Sequence, residues 1–378
     1  MMAFVPKYAF LVNWIKDQIL HGDLNCGDRL YSENELCSIF DVSRQTVRQA
    51  IGILEQEGVV TRRRGSGTYI LWRKTHGRTG TKKIGVISTY VGEYIFMDIL
   101  RAVESVLSGQ GYVTQVSFTR NDPENERRAL RSMLDSDVDG VIVEPTKSGL
   151  PNPNLDFYTE FRKRGIPVLF FNAKYPELDF PVVSLDDAAA GEIAASFLIG
   201  NGHRDIAGIF QCDDIQGKLR YKGYMKALSE NGIAINSRRI LWYATEDISE
   251  LTRYPDRILR RLEGCSAVCC YNDRIAVSVI DVLKQNGRSV PGDMSVVGID
   301  NSSLADLCSP PLTSVYNPAA LLGETAAKNL LAMIENPDFD AQVLFRPVMV
   351  ERASVSIYTA QRTAREDEDE SKHAQAVL

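Results

Sequence analysis

The chain has 378 residues, 44% of them hydrophobic, and carries a formal net charge of -6. That length leaves room for a small module plus one large or two medium domains, each with a real core. Seven cysteines (26, 37, 212, 265, 269, 270 and 308) with no paired C-x-x-C, and only four histidines in the whole chain, argue against a zinc site or a disulfide framework.

The acidic balance at first speaks against a nucleic-acid partner, but it is unevenly spread. Residues 1–83 carry 13 Lys and Arg against 8 Asp and Glu, a net of +5, and the remainder carries 30 against 41, a net of -11. A cationic end on an acidic body predicts phosphate-driven binding that is local and steeply salt dependent. The apolar residues at the N-terminus are interrupted by Pro6, Lys7, Lys16 and Asp17, so neither a signal peptide nor a membrane span is expected, and a reducing cytoplasm fits the free thiols.

In chain order, Tyr8, Leu11, Val12, Ile15 and Ile19 recur at helical spacing and predict a first helix. Ser32, three residues before Glu35, forms a capping box that opens a short second helix, whose Leu36, Ile39 and Phe40 are expected to face inward. After a tight "DV" connection, Ser43 is the expected N-cap and Gly58 the stop of a third helix of about four turns. Its Val47, Ala50, Ile51 and Leu54 make an apolar stripe. The opposite face is Arg44, Gln45, Arg48 and Gln49, side chains able to form forked hydrogen bonds with guanine or adenine. Val59 and Val60 begin a strand, "RRGSG" turns and "TYILW" returns, with Arg62, Arg63 and Arg64 at the turn and Gly65 and Gly67 allowing close approach to phosphate. The unit reads as a winged helix-turn-helix.

The segments "GDRLYSENELC", "VSRQTVRQAIGILEQEGVV" and "RRRGSGTYI" resemble the GntR-type DNA-binding domain over residues 5–71. The resemblance implies that Arg29, Ser32, Glu33, Arg44, Gln45, Thr46, Arg48, Gly65, Ser66, Gly67 and Thr68 lie at double-stranded DNA. Lys7 and Gln49 complete the expected contact set. Tyr31 departs from the family, which usually has proline before the serine.

Residues 73–82 are polar, basic and glycine-containing and read as a linker. Beyond them, apolar runs such as "IGVIST", "GVIVEP", "PVLFFN", "DIAGIF" and "SVVGID" alternate with amphipathic stretches at 96–109, 124–136, 216–231 and 274–286. At least ten strands interleaved with helices predict two α/β lobes of parallel strands. Ligands bind such sheets beyond the carboxyl ends of the strands. There stand Glu144, Thr146 and Lys147, then Asn172, then Asn272 and Asp273, then Asp300, with Tyr90, Tyr94 and Phe96 after the first strand and Gln216 and Arg220 opening a helix. Carboxylates, amides, a guanidinium and aromatic faces together suit a small polyhydroxylated ligand. Each has a plainer reading: Asp273 as a helix N-cap, Asp300 as a turn residue, Arg220 as a solvated charge, Tyr94 and Phe96 as core. The charged end "REDEDESKHAQAVL" is expected to be disordered.

"DGVIVEP", "GNGHRDIAGIF", "LRYKGYMKAL", "CYNDRIAVSVIDVL" and "VPGDMSVVGIDNSSLADLCSPPLTSVYNP" resemble the LacI-type effector domain, a two-lobed type I periplasmic-binding-protein fold, from residue 83 to about 356. Its motifs carry over Arg220, Asn272 and Asp300 as effector contacts. The expected organisation is a head at 1–72, a linker at 73–82, a body at 83–358 and a tail at 359–378. Within the body the first lobe takes about 83–175 and 316–342, and the second about 182–312 and 344–358.

A GntR-type head on a LacI-type body, with "YIFMDILRAVE" and "NERRALRSMLDS", resembles the arabinose-responsive repressors of Gram-positive bacteria. That resemblance, and not composition, implies L-arabinose as an effector that relieves operator binding by a homodimer. A regulator of the same architecture sensing another sugar or a purine, even as corepressor, is the alternative. No cofactor is expected: a pyridoxal-phosphate enzyme body would need a Schiff-base lysine and a phosphate-cradling segment, and neither is found. A transport-type binding protein would require export.

Overall fold

The structure, a computed structural model, describes residues 6–21, 23–63, 66–71, 80–90 and 94–359. Arg64, Gly65, most of the expected linker and the tail beyond residue 359 lie outside the described residues.

The head is built from α1 (Lys7–His21), α2 (Glu33–Phe40), α3 (Arg44–Gln56), β1 (Val60–Arg63) and β2 (Gly67–Ile70). Leu11, Ile15 and Ile19 of α1, Leu36 of α2 and Val47, Ala50, Ile51 and Leu54 of α3 close one core with Val60 and Ile70 of the wing. Ile39 departs from expectation: it is 54% exposed, because on this short helix Cys37 and Phe40 fill the inward positions beside Leu36.

The body follows as β3 (Lys83–Ser88), α4 (Phe96–Gly109), β4 (Val113–Phe118), α5 (Pro123–Asp135), β5 (Gly140–Val143), α6 (Leu155–Lys163), β6 (Val168–Phe171) and β7 (Val182–Leu185). Next come α7 (Asp187–Gly200), β8 (Ile206–Gln211), α8 (Ile215–Glu230), β9 (Ile240–Tyr243), α9 (Ile248–Arg253), α10 (Asp256–Leu262), β10 (Ala267–Cys270) and α11 (Asp273–Gln285). The chain ends through β11 (Ser295–Asp300), α12 (Ser303–Leu307), β12 (Thr313–Tyr316), α13 (Ala319–Glu335), β13 (Val343–Phe345) and β14 (Val348–Val350). The strands form two six-stranded sheets, ordered β13-β7-β6-β5-β3-β4 and β14-β12-β11-β10-β8-β9. Every pairing is parallel except that of β14 with β12. Runs such as "GVIV", "VLFF" and "AVCC" are buried at every position, as strands covered on both faces must be.

Sheet membership corrects the expected lobe limits. Val182–Leu185 pairs with β6 and with β13, so it belongs to the first lobe and not the second, and β13 joins it there. Thr313–Tyr316 pairs with β11 and therefore belongs to the second. The chain thus passes between lobes after Leu185, after Tyr316 and after Phe345. A strand's own residues do not say which sheet it completes; its neighbours do.

Candidate functional site

The head presents one side of α3. Ser43 caps this helix by accepting from the Thr46 amide at 3.2 Å, and Asp41, at φ 49°, makes the left-handed turn that sets α3 across α2. With Val47 and Ala50 turned inward, Arg44, Gln45, Arg48 and Gln49 are left exposed. Arg48 Nε donates to Glu33 Oε2 at 2.9 Å, an ion pair between α3 and the start of α2 that aims the guanidinium. Ser32 and Glu35 form the full capping box, so Tyr31 does not disturb the helix start. Two amide and hydroxyl hydrogen bonds from Ser32 hold the Glu35 carboxyl below its ordinary range.

The wing is tied to the same surface. Arg29 bridges Tyr69, and Leu30 N–H donates to the Thr68 carbonyl at 2.8 Å. Gly67 has φ 121°, and a Cβ there would stand 2.7 Å from Arg29 Nε, so glycine lets the arginine lie over the strand. Ser66 is exposed and hydrogen-bonds the Tyr69 hydroxyl, while Arg63 lies over the Tyr69 ring at 4.8 Å. Arg62 pairs instead with Glu55 of α3 at 3.6 Å. Lys7 Nζ donates to the Asp41 carbonyl at 3.4 Å, placing that cation beside the turn.

In the body, the carboxyl ends of both sheets face one cleft of about 880 Å³, a figure that includes its open mouth. From the first lobe come Thr89, Tyr90, Tyr94, Phe96, Asn121, Glu144, Ser148 and Asn172. The second lobe contributes Gln211, Asp214, Gln216, Arg220, Tyr243, Tyr271, Asn272, Arg274 and Asp300.

Arg220 anchors the second side. It is 1% exposed, and its Nε donates to Asp187 Oδ1 at 2.8 Å, its NH1 to the Tyr271 carbonyl at 2.7 Å and its NH2 to Asp300 Oδ1 at 3.2 Å. Such burial needs charge and hydrogen-bond partners together. Small residues bring them within reach: a Cβ on Gly191 of α7 would stand 1.9 Å from the Arg220 carbonyl oxygen, and one on Gly223 1.9 Å from that of Ala188. Backbone contact between α7 and α8 therefore places Asp187 against the guanidinium. Burial pushes the Asp187 carboxyl up to about 6 against the pull of Arg220. Asp300 Oδ1 also accepts from Asn317, and its Oδ2 accepts the Tyr94 hydroxyl at 2.7 Å across the cleft.

Glu144 anchors the first side. Its Oε2 accepts from Ser88 Oγ, Thr89 Oγ1 and the Thr89 amide at 3.0, 2.6 and 2.7 Å, and its Oε1 from Asn172 Nδ2 at 2.9 Å. Burial raises its pKa and these donors oppose the rise. Asn172, with φ 61° and 3% exposure, keeps its Oδ1 without a protein partner. An unpaired buried acceptor costs roughly 1–3 kcal/mol, which a bound donor would recover. Asp214, the N-cap of α8, is pushed up to about 7 by burial although it accepts the Tyr271 hydroxyl and the Gly217 amide.

Comparison with known proteins agrees with both halves. Residues 7–70 match the model of bacterial regulatory proteins of the gntR family, and residues 195–355 that of the periplasmic binding protein-like domain. An arabinose metabolism transcriptional repressor of Halalkalibacterium halodurans is 38% identical over 93% of this chain and 96% of its own. A protein of the same name from Geobacillus stearothermophilus is 36% identical over 93% and 98%. The chain belongs to this family of transcriptional repressors. The solved structure of the transcription regulator CcpA of Lactococcus lactis superimposes with a TM-score of 0.65 at 25% identity, over 74% of this chain and all of that one.

Within this family architecture, Tyr94, Phe96, Glu144, Asn172, Gln216, Arg220, Asn272 and Asp300 converge on the cleft wall. Three expected residues do not: Thr146 is buried, its hydroxyl donating to Thr119 Oγ1 at 2.9 Å, and Asp273 and Lys147 also turn away. Asp273 is fully buried behind the wall, where it accepts from the Ser302 amide and hydroxyl at 2.7 and 2.9 Å and from the Ser314 hydroxyl. The N-cap of α11 is Asn272, whose Oδ1 accepts the Ile275 amide at 3.1 Å. Lys147 points to Glu246 and Asp213 of the opposite lobe and not into the cleft. The reading of strand ends missed Asn121, Gln211, Asp214 and Tyr271 as wall residues. Gln211 ends the strand and Asp214 the run in "IAGIFQCDD", so their signal was present, whereas Asn121 lies in a turn with nothing in its pattern to mark it.

Proposed function

We propose that the cleft binds a neutral, hydroxyl-rich ligand, L-arabinose, and that binding releases the repressor from double-stranded operator DNA. One observation carries the ligand class: the unpartnered, buried Asn172 carbonyl opens beside Glu144 and opposite Asp300 and Arg220. Acceptors on both walls and a fixed guanidinium match hydroxyls that each donate and accept. Tyr90 and Phe96, with ring centroids 5.7 Å apart, offer an apolar face to the C–H side of a sugar. The names of the two relatives support arabinose among sugars.

On the DNA side, the exposed Arg44, Gln45, Arg48 and Gln49 supply base-reading side chains. Arg29, Ser32, Thr46, Lys7 and the wing residues Gly65 to Thr68 would position the helix on phosphate, while Glu33 holds Arg48 in place. A homodimer would place two heads on a two-fold operator. Cleft closure would then turn the lobes and change head spacing, a coupling of about 1–3 kcal/mol. Such a repressor works in the cytoplasm, and among the described residues no helix is long and apolar enough to cross a membrane.

Calorimetry against pentoses, hexoses and purines, paired with operator gel shifts, tests this reading. Micromolar binding of L-arabinose and its release of the operator are expected. Binding of a purine alone, or an operator affinity unmoved by sugar, overturns it.

A further inference from the structure

Lys147 was expected in the cleft and lies instead on its rim, where the lobes touch directly. The loop after β5 crosses to the segment after β8. Gly149 N–H donates to the Asp213 carbonyl at 3.1 Å, Ser148 Oγ accepts the Ile215 amide at 3.1 Å, and Lys218 Nζ donates to the Gly149 carbonyl. The approach is backbone to backbone: a Cβ on Gly149 would stand 2.8 Å from the carbonyl carbon and oxygen of Asp214. Beside it, Asn121 Nδ2 donates to Thr245 Oγ1 at 2.6 Å, and Asn121 Oδ1 accepts the Lys147 amide at 2.7 Å. Lys147, at φ 44°, sends its ammonium to Glu246, with Asp213 Oδ2 at 4.0 Å.

We infer that residues 146–149 of the first lobe and 213–218 with Glu246 of the second form a latch that holds the cleft shut. In it Lys147 sets effector affinity without touching the effector. The inference rests on the cleft being the effector site. Its physical content is that part of the free energy of closure comes from an ion pair whose side chains are 21% and 66% exposed. Such a pair is weakened by salt, so the affinity for an uncharged sugar acquires an ionic-strength dependence that contact between sugar and protein cannot give it. Gly149 supplies the other part, since only a residue without a side chain lets the two backbones meet.

The test uses the full-length protein. In calorimetry with L-arabinose, raising NaCl from 50 to 500 mM should weaken wild-type binding by roughly two- to fivefold, and Lys147→Met should lower affinity by a similar factor and flatten the salt dependence. The double variant K147E/E246K should recover both, which a merely structural lysine would not. Gly149→Ala should weaken binding by on the order of tenfold or more, through the clash it creates on closure. Ligand-free hydrogen exchange of the peptide spanning 146–150 is the independent readout: the Gly149 amide should be protected in the wild type and exposed faster in Lys147→Met. Equal affinity, salt slope and exchange in wild type and Lys147→Met would overturn the latch. If no sugar binds the wild type while exchange still distinguishes the two, the effector assignment fails and the latch stands.

Discussion

The head and the cleft use arginine in opposite ways. Arg44 is exposed on α3, whereas Arg220 is 1% exposed and held by two aspartates and a carbonyl. A surface that reads DNA keeps its donors hydrated until the duplex strips the water, and phosphate attraction supplies the affinity. A sugar brings no charge, so its site must be ordered in advance, with carboxylates and guanidinium already desolvated and fixed. The consequence is a difference in fragility: a head variant loses contacts, while a cleft variant also unsettles the core.

The largest effect should come where that core is tightest. Gly223→Ala pushes a methyl against the Ala188 carbonyl, 1.9 Å away, and would separate α7 from α8. A loss of about 3 kcal/mol or somewhat more is expected in denaturant unfolding of the body, while exchange in the head stays as in the wild type. Unchanged body stability would show that backbone contact does not position Arg220. Asp300→Ala removes one partner of Arg220 and an acceptor in the cleft. Sugar binding should weaken by about 2–3 kcal/mol, near a hundredfold in calorimetry, and sugar should no longer release the operator.

Arg44→Ala should cost about 1–3 kcal/mol in operator binding, measured by titration against the operator and a scrambled duplex. A loss confined to the operator marks a base contact; an equal loss on both, with a shallower salt slope, assigns the residue to phosphate. The smallest effect divides the regions by pH. Burial raises Asp214 and Asp273 from the ordinary 3.8 to about 7. The stabilisation from their protonated forms is full below the ordinary value and is lost as pH rises through about 7. Body melting should therefore fall between about pH 5 and 7.5 and level off above that. The head, whose Glu35 is shifted downward and stays ionised across that range, should not follow. A melt independent of pH, or one that falls equally in both regions, breaks the contrast.

Much of this was legible in order along the chain. The capping box at Ser32, the N-cap at Ser43, the stripe from Val47 to Leu54 and the stop at Gly58 appear where local pattern put them, since each is a matter of a few neighbouring residues. The body helices start and end within a residue of their amphipathic stretches. Strand ends likewise located Glu144, Asn172, Asn272 and Asp300 at one cleft, because a parallel sheet sends every carboxyl end the same way. Asp273 and Lys147 were misread for a shared reason. Position at a strand end gives proximity to the cleft, but the direction of a side chain depends on what meets it: Ser302 and Ser314 draw Asp273 behind the wall, and Glu246 draws Lys147 across the rim.

Sequence by itself thus determined the head, the alternation of strand and helix, and the family, because hydrophobic period, caps and motif spacing are local quantities. Tertiary structure alone decided which sheet β7 and β13 complete, which polar strand ends look into the cleft, and that Gly149 meets Asp214. Those outcomes depend on contacts between residues far apart in the chain, and no local pattern encodes the neighbour a side chain will find.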